Sequence, residues 1–161
     1  MATITLRGKE IHTVGELPRV GSKAPDFTLT DKDLRDVGLS EWTRKKKILS
    51  IFPSIDTPVC ALSTKKFNEY QRDHEDTVML MISADLPFAH GRFCNSERLA
   101  NVVSLSSMRN RDFAEDYGVL IEDGPLPDSW HAPSSCSTRT TLSSIHSSCP
   151  RSARSLTTRR P

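Results

Sequence analysis

The stretch KILSIFPSIDTPVC, residues 47–60, combines a strong structural signal with a reactive side chain. Its first part, Lys47–Phe52, is a short and mainly apolar run, a pattern typical of a buried β-strand. A turn follows, and Thr57 and Pro58 then match the residue types preferred at the cap and the first position of a helix. The apolar spacing after them predicts a helix that continues to about Gln71. The stretch therefore predicts a strand–loop–helix unit.

The rest of the first 126 residues alternates between strand and helix patterns. The predicted elements are a hairpin of Ile4–Leu6 and Ile11–Val14, strands at Phe27–Leu29, Thr77–Ile82 and Val102–Leu105, and a short helix at Asn110–Tyr117. Strand–helix–strand order implies a partly parallel sheet, because parallel neighbours need a long crossover connection. We therefore expect an α/β fold with an N-terminal β-hairpin.

Length and composition restrict the class of protein. The chain has 161 residues, of which 36% are hydrophobic and 26% charged, and a net charge of +2; this suits one domain with a buried core. No apolar run is long enough to span a membrane, and the N-terminus lacks the hydrophobic region of a signal peptide. We therefore expect a cytoplasmic protein without a membrane partner. The near-neutral charge argues against a nucleic-acid partner.

The composition changes abruptly after residue 126. Residues 127–161 contain ten Ser, five Thr, five Arg and four Pro, but a single acidic residue, Asp128. The whole chain has 22 Lys and Arg and 20 Asp and Glu, so this tail carries a net charge of +4 and residues 1–126 one of −2. Such a segment buries too little apolar surface to offset its ordering entropy. We expect residues 1–126 to form the domain and residues 127–161 to be disordered.

Cys60 lies in the first turn of the predicted helix, soon after the predicted strand. Unpaired backbone N–H groups and the helix dipole favour a thiolate at such a position, and the thiolate is the reactive form of cysteine. Pro53 and Pro58 restrict the loop around it. The residues alone leave two interpretations open: a nucleophilic cysteine, or a buried structural cysteine whose helix is capped by Thr57.

The loop Phe52–Cys60 contains the pattern P-x-x-x-T-x-x-C, formed by Pro53, Thr57 and Cys60, and it resembles the active-site loop of peroxiredoxins. Over residues 3–126 the chain resembles one branch of that family, the bacterial thiol peroxidases. The segments that carry this resemblance are GSKAPDFTL (21–29), ILSIFPSIDTPVCALSTKKFN (48–68), ISADLPFAHGRFC (82–94) and YGVLIEDGPL (117–126).

The resemblance implies a thioredoxin-like fold and a two-cysteine peroxidase that needs no cofactor and no metal. It identifies Cys60 as the peroxidatic cysteine, Cys94 as the resolving cysteine and Thr57 as the residue that orients the thiolate and the peroxide, in a loop that includes Pro53. Hydrogen peroxide or an organic hydroperoxide would oxidise Cys60 to a sulfenic acid, which then forms a disulfide with Cys94. Thioredoxin would reduce this disulfide. The resemblance also implies a homodimer.

The C-terminus departs from the family pattern. After G-P-L the family continues with A-R-A-V-V-V-L-D-E-N-D, a second strand and a closing helix, none of which is present in this sequence. One base added after the codon of Leu126 allows residues 132–141, APSSCSTRTT, to read R-A-V-V-V-L-D-E-N-D in the shifted frame. We therefore interpret residues 127–161 as the product of a frameshift after Leu126, either a mutation or a sequencing error.

A frameshift after Leu126 would remove both an active-site side chain and part of the sheet. The arginine of A-R-A matches the active-site arginine of the family, which stabilises charge in the transition state, and none of Arg92, Arg109 and Arg111 aligns with it. The strand Ile48–Phe52 loses a neighbour, which leaves an unpaired edge. We expect an incomplete sheet, poor folding, little peroxidase activity and a weakened case for the homodimer. The alternative function is a non-catalytic or weakly active remnant that acts as a redox-reactive or interaction protein.

Other chemistry finds less support in the residues. The four cysteines, Cys60, Cys94, Cys136 and Cys149, include no C-x2–4-C pair, so the sequence does not predict a zinc site. An Arg- and Ser-rich tail can act as an RNA-binding arm, but Trp130 is its only aromatic side chain for base stacking.

Resequencing the gene tests the frameshift. We expect the reading frame shifted by one base after the Leu126 codon to encode the family-like peptide, because the first two bases of each visible codon fix the last two of each shifted codon. A gene whose shifted frame does not encode R-A-V-V-V-L-D-E-N-D contradicts the interpretation.

Overall fold

The computed structural model describes residues 2–6, 8–125 and 136–138. Its strands are β1 (Ala2–Leu6), β2 (Lys9–Thr13), β3 (Thr28–Asp31), β4 (Asp36–Gly38), β5 (Lys46–Ile51), β6 (Thr77–Ser83), β7 (Val103–Ser106) and β8 (Cys136–Thr138). The helices are α1 (Pro58–Arg72), α2 (Pro87–Ser96) and α3 (Asp112–Asp116), and a short 3-10 turn covers Leu39–Trp42. β1 and β2 form a separate hairpin, and the other strands form one sheet in the order β4-β3-β7-β6-β5-β8.

The centre of the six-stranded sheet is parallel. β5 pairs with β6 along its whole length, and the last pair is Ile51 opposite Ile82. β6 also pairs parallel with β7, whereas β3, β4 and β8 pair antiparallel towards the two edges. α1 connects β5 to β6, and α2 lies in the connection from β6 to β7. The predicted α/β class and the strand–helix–strand order are therefore confirmed.

The sheet is covered by apolar side chains on both faces, because successive residues of a strand point to opposite sides. On β6, Met81 belongs to a cluster that also includes Phe67 of α1 and Phe93 of α2. Its neighbour Leu80 belongs to the other cluster, together with Phe113 of α3. α1 and α2 therefore lie on the same face of the sheet, and α3 lies on the opposite face.

The predicted N-terminal hairpin is confirmed. β1 and β2 pair antiparallel, and Gly8 adopts a positive φ of 81° in the turn between them, a conformation that glycine adopts without strain. The Val14 N–H donates to the Leu120 carbonyl at 2.8 Å, and Thr13 forms a β-bridge with Ile121. These contacts attach the end of the hairpin to the segment after α3.

Some predicted boundaries differ from the structure. The helix predicted at Asn110–Tyr117 is limited to Asp112–Asp116, because the Asn110 side chain accepts the Phe113 N–H at 3.1 Å and forms a turn before it. The sequence patterns above do not predict β4 or α2. α2 begins with Pro87 at its first position, the same start signal as in α1.

The tail contributes one strand to the sheet. Cys136–Thr138 pairs antiparallel with residues 47–49 of β5. The expectation of an unpaired edge is therefore wrong at residues 47–49, whereas the expected disorder of residues 127–161 stays a prediction. Strand pairing uses backbone N–H and C=O groups, which a changed reading frame retains. If the frame shifts after Leu126, the same positions would read V-L-D. The rest of residues 127–161 lies outside the described part of the chain.

We expect a chain with the reading frame restored after Leu126 to be more stable than the present chain. Its strand beside β5 would carry Val and Leu, and burying one such side chain contributes roughly 1.5–3 kcal/mol. About 1 kcal/mol raises the midpoint of thermal unfolding by roughly 2–4 °C at this chain length, so we expect a rise of at least about 5 °C. Thermal melts of the two chains followed by circular dichroism measure the difference. Equal midpoints would show that the replaced segment does not limit stability.

Candidate active site

Cys60 is the third residue of α1, at the end of the sheet where the parallel strands β5 and β6 finish. Its side chain is half-buried and packs against an apolar cluster that includes Phe52 and Ile55. The Phe52 N–H continues the pairing of β5 by donating to the Ile82 carbonyl at 3.0 Å. The loop that leads to Cys60 is therefore attached to the sheet at its start and to a helix at its end.

Thr57 occupies the cap position of α1, and its carbonyl accepts the Ala61 N–H at 2.9 Å. Its hydroxyl makes no capping hydrogen bond and instead donates to the Ser54 carbonyl at 3.2 Å. The interpretation of the hydroxyl as a helix cap is therefore wrong, and the hydroxyl stays beside the loop. Pro58 is the first helical residue, as predicted, and Pro53 is half-buried at the start of the loop.

The surroundings of Cys60 decide the acidity of its thiol. Burial is the largest influence and raises the pKa of Cys60, a hydrogen bond from Thr57 lowers it, and the negative charge of Asp85 raises it. The net direction is upward, because burial and the charge of Asp85 outweigh the hydrogen bond from Thr57. Because the Thr57 hydroxyl has one proton, its bonds to the Ser54 carbonyl and to the Cys60 sulfur are alternatives.

A carboxylate that was not among the predicted site residues organises this loop. Asp85 follows β6 and accepts three hydrogen bonds, from Ser54 Oγ at 2.9 Å, from the Ile55 N–H at 2.7 Å and from Ser83 Oγ at 2.7 Å. The available sequence signal was its position after a buried strand, since functional groups collect where the carboxyl ends of parallel strands meet. Asp85 therefore joins the end of β6 to the loop before Cys60.

Cys94 lies on α2 and is buried, with 8% of its surface exposed. Its Sγ is 3.2 Å from Ser104 Oγ of β7. Cys60 and Cys94 are both free thiols. Because Cys60 and Phe93 pack against the same apolar cluster, the two predicted cysteines belong to helices on one face of the sheet.

Arg92 and Arg109, two of the three arginines that do not align with the family's active-site arginine, pair with carboxylates. Arg92 Nη2 lies 3.1 Å from Asp56, and Arg109 Nη1 lies 3.2 Å from Asp36. Among the described residues, no cation contributes to the shift in the pKa of Cys60. The described part of the site therefore supplies a thiol and a hydroxyl, but no positive charge that stabilises the thiolate.

Within the described ranges, no group of three or more His, Cys, Asp or Glu side chains is arranged to hold a metal ion. The same part of the chain contains no helix that is both long and apolar enough to cross a bilayer. Cys149 and Trp130 lie outside the described residues.

Residues 19–140 match the family model named Redoxin. The chain is 53% identical to the thiol peroxidases of Mycobacterium bovis and Mycobacterium tuberculosis over 126 residues, which is 78% of this chain and 75% of each relative. The chain belongs to the Redoxin family. Within it, the chain is a peroxiredoxin-type enzyme, as the P-x-x-x-T-x-x-C loop predicts.

Solved structures of related proteins show the same architecture. A peroxiredoxin-like protein from Aquifex aeolicus has a TM-score of 0.75 and 38% identity, over 81% of this chain and 75% of that protein. A thiol peroxidase from Chromobacterium violaceum has a TM-score of 0.80 over 91% of this chain and 84% of its own, and at 23% identity this likeness shows the fold alone. The thioredoxin-like fold predicted for this Redoxin family member is therefore confirmed.

Replacing Thr57 by Val is expected to raise the pKa of Cys60 further, because the variant loses the hydroxyl that hydrogen-bonds to the sulfur. A hydrogen bond to a charged group contributes about 1.5–3 kcal/mol, so we expect an upward shift of about one pKa unit. The pH dependence of Cys60 alkylation by iodoacetamide, followed by peptide mass spectrometry, measures the shift. Thr43→Val is the control, because the Thr43 hydroxyl donates to the Ser40 carbonyl in an exposed turn. An unchanged profile in Thr57→Val would contradict the role of this hydroxyl.

Proposed function

We propose that this chain is a thiol-dependent peroxidase that reduces hydrogen peroxide and organic hydroperoxides with Cys60 and Cys94. The Cys60 thiolate attacks one peroxide oxygen, the O–O bond breaks, and the rest of the peroxide leaves as water or an alcohol after taking up a proton. Two electrons pass from sulfur to the peroxide, and Cys60 becomes a sulfenic acid. The Cys94 thiol then forms the S–S bond, and the sulfenic oxygen leaves as water.

The position of Cys60 at the start of α1 carries the proposal. Its thiol is half-buried beside the Thr57 hydroxyl, inside the P-x-x-x-T-x-x-C loop. When the thiolate forms, this hydroxyl can turn from the Ser54 carbonyl to the sulfur, which orients the nucleophile. Pro53 restricts the backbone at the start of the loop. Oxidation and disulfide formation are sulfur chemistry throughout, so the proposed cycle requires no metal and no cofactor.

Disulfide formation requires a change in α2. Cys94 is buried and its Sγ is held by Ser104 Oγ at 3.2 Å, so it must leave this contact before it bonds to Cys60. α2 has only ten residues, with Pro87 at its start and Arg98 at a positive φ of 54° just after its end. Local unfolding of such a short helix requires less free energy than global unfolding.

Thioredoxin is the proposed reductant, because a dithiol protein can exchange with the Cys60–Cys94 disulfide and regenerate both thiols. Such a cycle belongs in a reducing compartment, which supports a cytoplasmic location. Val59 and Leu62 of α1 are 74% and 56% exposed. Val59 precedes Cys60 in the sequence and Leu62 follows it. Their exposed apolar surface suits the alkyl group of an organic hydroperoxide.

One observation favours a second function, a redox-reactive protein that forms the disulfide without turnover. The pKa of Cys60 is raised, and no cation in the described part of the chain offsets the effect of burial. A raised pKa lowers the fraction of thiolate, which is the form that attacks peroxide. Such a protein would respond to peroxide as a sensor or an interaction partner.

Peroxide consumption in the presence of reduced thioredoxin separates the two functions. We expect peroxide to induce a Cys60–Cys94 disulfide in the full chain, detected by non-reducing peptide mass spectrometry. Turnover is expected to be roughly 10²–10³-fold slower than in the frame-restored chain, because that chain contains the arginine that stabilises charge in the transition state.

Cys60→Ser is expected to abolish both the disulfide and the turnover, whereas Cys94→Ser is expected to accumulate oxidised Cys60. A disulfide without turnover would support the redox-reactive protein instead. The absence of any peroxide-induced disulfide would contradict both functions.

A further inference from the structure

The Asp85 carboxylate holds the loop that leads to the peroxide-reactive thiol. Its Oδ1 accepts the Ser54 hydroxyl at 2.9 Å, and its Oδ2 accepts the Ile55 N–H at 2.7 Å. The Ser54 carbonyl accepts the N–H and the hydroxyl of Thr57 at 3.3 and 3.2 Å. One carboxylate therefore fixes the path of the loop and, through Ser54, the position of the hydroxyl beside Cys60.

The same carboxylate is connected to α2 through a buried hydroxyl. Ser83 Oγ donates to Asp85 Oδ2 at 2.7 Å and lies 2.9 Å from His90 Nε2. Because the single hydroxyl proton is donated to Asp85, the proton of the second bond belongs to His90 Nε2. His90 is buried, and its Nδ1 has no hydrogen-bond partner in the described part of the chain. Cys94 follows one helical turn later on the same side of α2.

The sheet provides a rigid support for this arrangement. The Asp85 carbonyl accepts the Ser106 hydroxyl at 2.5 Å. The Ser83 carbonyl accepts the N–H and the hydroxyl of Ser107 at 3.0 and 2.9 Å. Ser106 and Ser107 are buried at the end of β7. The support is therefore part of the sheet, and the loop and α2 are the segments attached to it.

We propose that Asp85 is a positioning residue that fastens the Cys60 loop and the Cys94 helix to the same end of the sheet, and that release of this clamp favours the disulfide over sulfinic acid. The proposal rests on the peroxidase function proposed above. The closed clamp aligns Cys60 and Thr57 for attack on peroxide and keeps Cys94 buried. When it opens, Cys94 reacts with the sulfenic acid, the S–S bond forms and water leaves. When it stays closed, a second peroxide transfers an oxygen to the sulfenic acid, which gives sulfinic acid and water or an alcohol.

If Asp85 acted through its charge alone, removing that charge would speed the oxidation of Cys60, whereas loss of positioning would slow it. The negative charge of Asp85 raises the pKa of Cys60, so removing it increases the thiolate fraction and, without a positioning role, the rate of reaction with peroxide. Arg92 and Asp56 also join α2 to the loop, at 3.1 Å, but both side chains are exposed and such pairs contribute little. Substitution of Asp85 therefore tests whether the attachment of the loop and α2 to the sheet controls the reactivity of Cys60.

Two variants separate position from charge. Asp85→Asn keeps the shape and removes the charge, whereas Ser54→Ala removes one hydrogen bond of the clamp and keeps the charge. We expect the rate of Cys60 oxidation per thiolate to fall about tenfold in Asp85→Asn and about threefold in Ser54→Ala, because charge-assisted hydrogen bonds are the stronger ones. We expect the ratio of disulfide to sulfinic acid at high peroxide to rise severalfold in Asp85→Asn and to stay unchanged in Ser54→Ala.

Peptide mass spectrometry of the full chain, quenched rapidly after peroxide is added, measures the thiol, disulfide and sulfinic acid, and alkylation at different pH values gives the thiolate fraction. Asp33→Asn is the control, because this exposed carboxylate pairs with Lys32 in the turn between β3 and β4. Hydrogen exchange without peroxide measures the clamp itself. Residues 52–57 and 87–96 are both expected to exchange faster in Asp85→Asn, and only residues 52–57 in Ser54→Ala.

Oxidation rates that follow the thiolate fraction in both variants would overturn the positioning role, and unchanged exchange of α2 in Asp85→Asn would overturn its connection to Cys94. If Asp85→Asn does not fold, the rate per thiolate in Ser54→Ala decides the positioning role. If the unsubstituted chain forms no disulfide, the peroxidase function fails, while alkylation and hydrogen exchange still decide whether the clamp exists.

Discussion

Parallel pairing between β5 and β6 ends with Ile51 opposite Ile82 and with the Phe52 N–H bonded to the Ile82 carbonyl. Because the two strands run in the same direction, the chain leaves both at the same end of the sheet. The turn after β5 leads to Cys60, and the turn after β6 leads to Asp85. The parallel pairing of these two strands therefore brings Cys60, the proposed nucleophile, and the carboxylate that supports its loop to the same end of the sheet.

The packing that fixes the position of the Cys60 thiol also makes the thiol less acidic. Packing against Phe52 and Ile55 fixes the thiol at the start of α1, but the same burial raises its pKa. The Thr57 hydroxyl offsets part of this effect, and the charge of Asp85 adds to it. In the family pattern, an arginine on the replaced segment supplies the compensating charge. The described residues thus fix the position of the sulfur, but together they do not favour its ionised form.

The parts of the site that could be predicted depend on local sequence. Thr57 and Pro58 mark a helix start by residue type alone, and the loop pattern points to Cys60 as the proposed nucleophile. Asp85 could not be assigned a role, because its bond to Ile55 joins residues 30 positions apart, and an Asp after a strand equally suits a turn. The rise in the pKa of Cys60 could not be predicted from the helix start, because that is a local feature and burial depends on tertiary packing.

β8 shows that strand pairing can be retained when the side chains of a segment change. Its pairing with residues 47–49 of β5 requires backbone N–H and C=O groups, which any sequence without proline supplies. Backbone N–H groups do not carry the full positive charge that an arginine side chain brings near a thiolate. If residues 127–161 arose by a frameshift, the change kept a hydrogen-bonded edge at Cys136–Thr138 and removed a positive charge from the reaction. The loop and the carboxylate that position Cys60 therefore lie before residue 127, whereas the arginine of the family pattern would lie after it.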